Sequence, residues 1–152
     1  MSTTGGQGGE TADEPHTWVE RQGTRRWVGR NARGARVEIG PGDAPGAFSP
    51  GELLAVALAG CVGLTVDAPL ERRIGPDGPA TVEVDSAPVP GEARYDALTS
   101  RLVADLSRLD DAARTRLLTS LHRAVEGHCT VGRTLEAGAA TTFTVAGETG
   151  AS

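Results

Sequence analysis

Lysine is missing altogether, and all 15 basic residues are arginine. That removes lysine Schiff-base chemistry and the lysine-dependent phosphate-binding loop. Aromatic residues make up 3% of the chain and methionine occurs once, so a core must be assembled from Val, Leu, Ile and Ala packed closely. Positive charge is also in short supply. Twenty acidic residues outnumber the arginines, giving a formal net charge of -5 and a pI near 5.2. A phosphate backbone is held by clustered positive charge, so nucleic acid is not an expected partner. No later stretch approaches the ~20 apolar residues of a membrane span. The polar, Gly-rich start has no apolar signal-peptide core. The expectation is a soluble, cytoplasmic chain with no membrane partner.

Cysteine is scarce too, but the two present carry the interest. In a reducing cytosol a pair of thiols is expected to be free, catalytic or redox-cycling rather than a permanent staple. Cys61 and Cys129 lie far apart in sequence with no C-x-x-C spacing, and His16, His122 and His128 complete no recognisable ligand set. Neither a metal nor a bound cofactor is expected. His128 beside Cys129 reads as a solvated helix-end residue, and His122 as a surface one.

A chain of 152 residues fits one domain. We expect disordered tails over residues 1–16 and 147–152, flanking a single domain over 17–146. Between Trp18 and Ile39, short Val-, Trp- and Arg-rich runs broken at Gln22-Gly23 and Asn31-Ala32-Arg33-Gly34 predict an N-terminal β-meander. After a Gly/Pro-rich loop, Ser49-Pro50-Gly51-Glu52 forms a capping box and opens a helix that is apolar nearly all round, which predicts a central buried position. Cys61 lies about three turns into it, and Pro69 is expected to end or kink it. Alternation predicts strands over Thr81–Asp85 and Tyr95–Leu106. A second helix begins at Asp110 and carries Leu117, Leu118, Leu121, Ala124 and Val125 toward Gly127, with Cys129 just beyond. Ala140–Ala146 is expected to be a last strand. The class is α+β.

A thiol reacts well only where its thiolate is favoured. Cys61 sits mid-helix, where its own helix dipole gives no help, so a cation is expected from elsewhere; Arg21, Arg25, Arg26 and Arg30 are the nearest supply by sequence pattern. Taken singly, each cysteine reads equally well as apolar filler, and each arginine as a solvated strand residue.

The stretch Phe48-Ser49-Pro50-Gly51-Glu52-Leu53-Leu54, followed by Ala57 to Cys61, and the later run Val125 to Leu135 together resemble the OsmC/Ohr family, the osmotically induced and organic-hydroperoxide-resistance proteins. The resemblance covers about Trp18 to Val145. It implies an OsmC-like fold in which two chains intertwine as a homodimer around paired cysteine-bearing helices, with active sites at the subunit interface. It implies that Cys61 is the peroxidatic thiol and Cys129 the resolving one. It also implies an activating arginine, whose Gly-x-Arg context best matches Gly23-Thr24-Arg25, with Arg26 and Arg30 next in line.

The implied substrate is an organic hydroperoxide, and the implied reductant an external dithiol, lipoylated proteins included. Two positions depart from the family pattern. Many relatives carry glutamate directly after the proline, where this chain has Gly51 and places Glu52 one residue later; on a helix that shift turns a side chain by about 100 degrees. Glu52 therefore reads first as the capping-box residue and second as the arginine's partner. After the second cysteine, relatives often have proline where this chain has Thr130. These departures keep open a redox-sensing or small-ligand-binding protein of the same fold that does not turn over.

Overall fold

The structure is a computed structural model and describes residues 16–147. The expected tails therefore fall almost wholly outside the described residues. The described part forms two compact units, one ending at Leu53 and one beginning at Leu54.

In the first unit, β1 (Thr17–Gly23), β2 (Arg26–Asn31) and β3 (Arg36–Ile39) form an antiparallel sheet in sequence order, the expected meander. The first turn sits at Thr24-Arg25, with Arg25 in the left-handed region at φ 57°. The second is held by Asn31, whose side-chain oxygen accepts from the backbone N–H groups of Arg33 (2.9 Å) and Ala35 (3.0 Å). Gly29 on β2 leaves room for β3, because a Cβ there would lie 2.8 Å from a Val37 methyl. The loop after β3 folds back, with Phe48 N–H donating to Glu38 C=O (2.9 Å) and Gly40 N–H to Phe48 C=O (3.0 Å).

Helix α1 (Pro50–Ile74) opens as the capping box predicts: Ser49 N–H donates to the Glu52 carboxylate (2.8 Å) and Glu52 N–H to the Ser49 hydroxyl (3.2 Å). It does not end at Pro69 but runs on to Ile74. Its 25 residues, with a window of mean hydropathy 1.9, also exceed the expectation that no stretch approaches spanning length. One stripe of the helix is buried, with Leu58, Val62, Val66 and Leu70 at four-residue spacing. The apolar character continues round the helix without matching burial, since Val56 is 49% and Leu64 84% exposed.

In the second unit, β4 (Ala80–Pro88) and β5 (Tyr95–Ala104) pair antiparallel, with Val82 opposite Leu102 and Ser86 opposite Leu98. Val82, Val84, Leu98 and Leu102 therefore share one face, and they pack on the core. Helix α2 (Asp111–His128) is capped by Asp110, whose carboxylate accepts from Ala113 N–H (2.7 Å). Its Leu117 and Leu121 meet Leu58, Val62 and Val66 of α1 and the side chain of Cys129 in one cluster of buried residues.

Two features depart from the sequence-based expectation. A third helix, α3 (Thr130–Ala137), follows Cys129 directly. The segment Ala140–Ala146 is no strand: it pairs with no neighbour among the described residues, and Phe143 is 89% exposed. Alternation of Thr with Phe143 and Val145 gives it two faces, but a strand also requires a partner edge.

Candidate active site

Cys129 occupies a single-residue joint between two helices. Its N–H donates to Val125 C=O (3.1 Å), closing α2, and its own C=O accepts from Arg133 N–H (2.9 Å), opening α3. Its backbone is extended (φ -71°, ψ 95°), and it offers no side-chain cap to α3. The first N–H groups of a helix have no partner within the helix. Here those of Val131 and Thr130 act to lower the Cys61 pKa, and that of Gly132 to lower the Cys129 pKa. Close approach is possible because residue 132 is glycine: a Cβ there would lie 3.3 Å from Cys129 Sγ and 3.7 Å from Leu58 Cδ1.

The two thiols thus share the start of one helix but not one environment. Cys61, half-buried against the core cluster, is held below the ordinary thiol range. The largest cause is the Val131 N–H; the Cys129 thiol, the Thr130 N–H and the Thr65 hydroxyl add to it, against an opposing effect of burial. Hydrogen bonds to the charged form favour it, and a helix N-terminus favours negative charge. The Thr65 hydroxyl, one turn on, gives its single proton to the Cys61 carbonyl (2.6 Å), so its effect at the sulfur is the smallest of these. Cys129 is 1% exposed, and burial pushes its thiol up; the Gly132 N–H pulls the other way, while Cys61 and then Glu136 raise it further.

Backbone donors of α3 thus lower the Cys61 pKa in addition to whatever a cation would contribute. Both cysteines are free. Each thiol is shifted by a helix-start N–H and by the other thiol, Cys61 downward and Cys129 upward on balance. A cleft of about 490 Å³ opens beside Cys129, lined by the apolar Leu58, Val62, Leu98, Val125 and Leu135 and by the charged Asp96, Glu126, Arg133 and Glu136; Cys61 is not among its lining residues.

The other residues singled out from sequence, Arg25 and Glu52, lie in the first unit. Arg25 is exposed at the β1–β2 turn, and among the described residues no carboxylate pairs with it or with Arg26. Arg30 is committed: its Nε donates to Glu20 (3.0 Å), which also accepts from the Trp18 indole (2.9 Å). The Glu52 carboxylate is engaged in the α1 cap. His122 and His128 are exposed on α2.

Sequence reasoning missed α3, and with it Thr130, Val131, Gly132 and Arg133. A signal was there: Val131 and Leu135 at helical spacing, followed by Gly138, which takes the left-handed conformation (φ 65°) and accommodates the helix end.

Residues 40–144 match the family described as OsmC-like protein. Over 121 residues the chain is 50% identical to the uncharacterized protein Rv2923c of Mycobacterium tuberculosis, covering 80% of this chain and 88% of that protein. Among solved structures, it is similar to a Psychrobacter arcticus protein named for osmotic stress induction and a detoxification response. That match has a TM-score of 0.59 at 22% identity over 79% of this chain and 87% of the other. It is likewise similar to an OsmC-like protein of Mycoplasma pneumoniae, with a TM-score of 0.56 at 12% identity over 82% and 89% of the two chains. At these identities the two structures show a shared α+β fold.

Proposed function

The chain belongs to the OsmC-like protein family, and from that premise we propose that it is a thiol-dependent peroxidase that reduces organic hydroperoxides. The observation that carries this reading is the inequality of the two sulfurs: Cys61 lowered by helix-start donors, Cys129 raised by burial beside it. A peroxidatic thiol must be ionised to attack, whereas a resolving thiol is best kept neutral until the attack is over.

In the proposed reaction the Cys61 thiolate attacks an oxygen of the hydroperoxide. An S–O bond forms, the O–O bond breaks, and the alkoxide leaves and takes up a proton as the alcohol. Cys61 is left as a sulfenic acid. The Cys129 sulfur then attacks it, the S–O bond breaks, and the departing hydroxide takes the Cys129 proton and leaves as water. The Cys61–Cys129 disulfide is returned to two thiols by an external dithiol, a lipoylated protein being one candidate, which is itself oxidised to its disulfide. Such a cycle suits a reducing cytoplasm. The aliphatic part of the cleft beside Cys129, formed by Leu58, Val62, Leu98, Val125 and Leu135, suits an alkyl group, although Asp96, Glu126, Arg133 and Glu136 line the same cleft.

Arg25 and Glu52 enter this reading on the family resemblance: Arg25 as the guanidinium that steadies the thiolate and the departing alkoxide, and Glu52 as its partner. A homodimer belongs to it as well. The uncovered Val56 and Leu64 of α1 and the exposed Phe143 and Val145 of the tail are apolar surfaces that a second copy would bury.

The test is dithiol-dependent consumption of cumene hydroperoxide by the native chain, Cys61→Ser and Cys129→Ser. Turnover by the native chain, its abolition in the first variant and a single turnover in the second are expected. If the native chain oxidises to the disulfide but does not turn over, the protein is a redox sensor; the Glu52 side chain committed to the α1 cap is the observation that favours that reading. Equal turnover by Cys61→Ser contradicts the assignment of the nucleophile.

A further inference from the structure

The N–H groups that face Cys61 are useful only while α3 keeps its direction, and the joint that sets this direction is one extended residue, Cys129. A single residue with two soft torsions does not fix a following helix. One side chain spans the joint. Arg133, in the first turn of α3, donates from Nη1 to the carbonyl of Gly127 in the last turn of α2 (2.6 Å), while its backbone N–H donates to Cys129 C=O (2.9 Å). The Gly127 carbonyl belongs to the last turn of α2, where carbonyls lack intrahelical partners and a cation is favoured. The guanidinium therefore bridges from α3 back to α2 and closes a ring around Cys129.

We propose that Arg133 is a positioning residue, which braces α3 against the end of α2 and so aims the Thr130 and Val131 N–H groups at the Cys61 sulfur. The proposal rests on Cys61 being the reactive thiol, and it assigns the source of its reactivity to the α2–α3 joint. Arg133 acts through the backbone: its guanidinium is held on the Gly127 carbonyl, and the groups that shift Cys61 are the α3 N–H groups, the Cys129 thiol and Thr65 of α1, against burial. Glu136 of α3 acts on Cys129. Two backbone donors at the sulfur also explain how α3 starts without a side-chain cap, since Cys61 accepts what a cap would have accepted.

The test is the pH profile of iodoacetamide alkylation of the full chain, with Cys61 and Cys129 resolved by peptide mass spectrometry and native helicity checked by circular dichroism. In Arg133→Met, alkylation of Cys61 at pH 7 should slow about fivefold, the size of one favourable helix-terminus interaction. Its midpoint should move up, with Cys129 remaining the less acidic thiol. Arg133→Lys, which keeps a donor able to reach a carbonyl, should recover much of the loss. Thr130→Pro provides an independent check, since proline is well accommodated at the first helical position and removes one N–H and nothing else from the sulfur; it should also raise the midpoint. An unchanged Cys61 profile in Arg133→Met overturns the brace. A loss that Arg133→Lys does not recover, or that 0.5 M salt reproduces in the native chain, overturns positioning in favour of charge. No turnover is needed for this measurement. If the native chain fails to reduce hydroperoxide while these shifts appear, the peroxidase reading falls and the brace stands.

Discussion

Two helices of this chain begin in opposite ways. At α1 the start is closed locally, as Ser49 and Glu52 satisfy each other's backbone N–H groups from within four residues of sequence. At α3 no side chain caps the start, and the N–H groups are given to two sulfurs, one of them on α1. A closed start spends its N–H groups on stabilising the helix. An open one is an anion site, and a thiolate is the anion this chain can place there.

The contrast can be broken most strongly at Gly132. Valine there puts methyl groups into the space against Cys129 Sγ and Leu58 Cδ1, and overpacking of this kind costs about 1–3 kcal/mol. We expect a lowered urea midpoint together with slowed Cys61 alkylation, because α3 must move off the sulfurs. A lowered midpoint with unchanged Cys61 reactivity would separate the helix start from the thiol.

Ser49→Ala is the matched change at the closed start. Loss of an N-cap of this type costs about 1 kcal/mol. A urea melt should show that loss, while Cys61, about three turns away, keeps its alkylation profile. The smallest effect belongs to Thr65→Val, which deletes the weakest of the hydrogen bonds at Cys61. A slight rise in the Cys61 midpoint is expected, and a rise larger than that of Thr130→Pro would place the activation on α1 instead of α3.

The same contrast gives stability a pH dependence with two opposite parts. Cys61 is depressed in the folded chain, so its contribution is present above the unfolded thiol value and is lost as pH falls through the folded one. Cys129 is raised, so its contribution is present below the unfolded value and is lost as pH rises through the folded one. Chemical denaturation of Cys129→Ala should remove the loss above the unfolded thiol value, and that of Cys61→Ala the gain that builds up below it.

What could be read from the sequence follows the reach of each interaction. The α1 cap, the Asp110 start of α2 and the faces of β4 and β5 are set by residues a few positions apart, and all appear in the structure. Pro69 looked like a stop because the local rule counts its missing N–H, whereas α1 continues because Val66 and Leu70 on either side of it are buried. The two cysteines were legible as a pair through their family context. What lowers the pKa of Cys61 was not, because its donors are backbone groups more than sixty residues further along the chain. Backbone N–H groups carry no residue signature. The N-terminal arginines stand out by side chain, whereas Thr130 and Val131 contribute only backbone donors. The Ala140–Ala146 pattern misled for a related reason: alternation specifies two faces, and the partner edge lies outside the pattern.

The central claim is that the two thiols are made unequal by the start of α3. Peptide-resolved alkylation of the native chain across pH measures it directly. Cys61 should titrate below the ordinary thiol value of 9.0, with Cys129 above it and slower throughout. Two thiols titrating together at the ordinary value, or Cys129 proving the more acidic, would contradict the account.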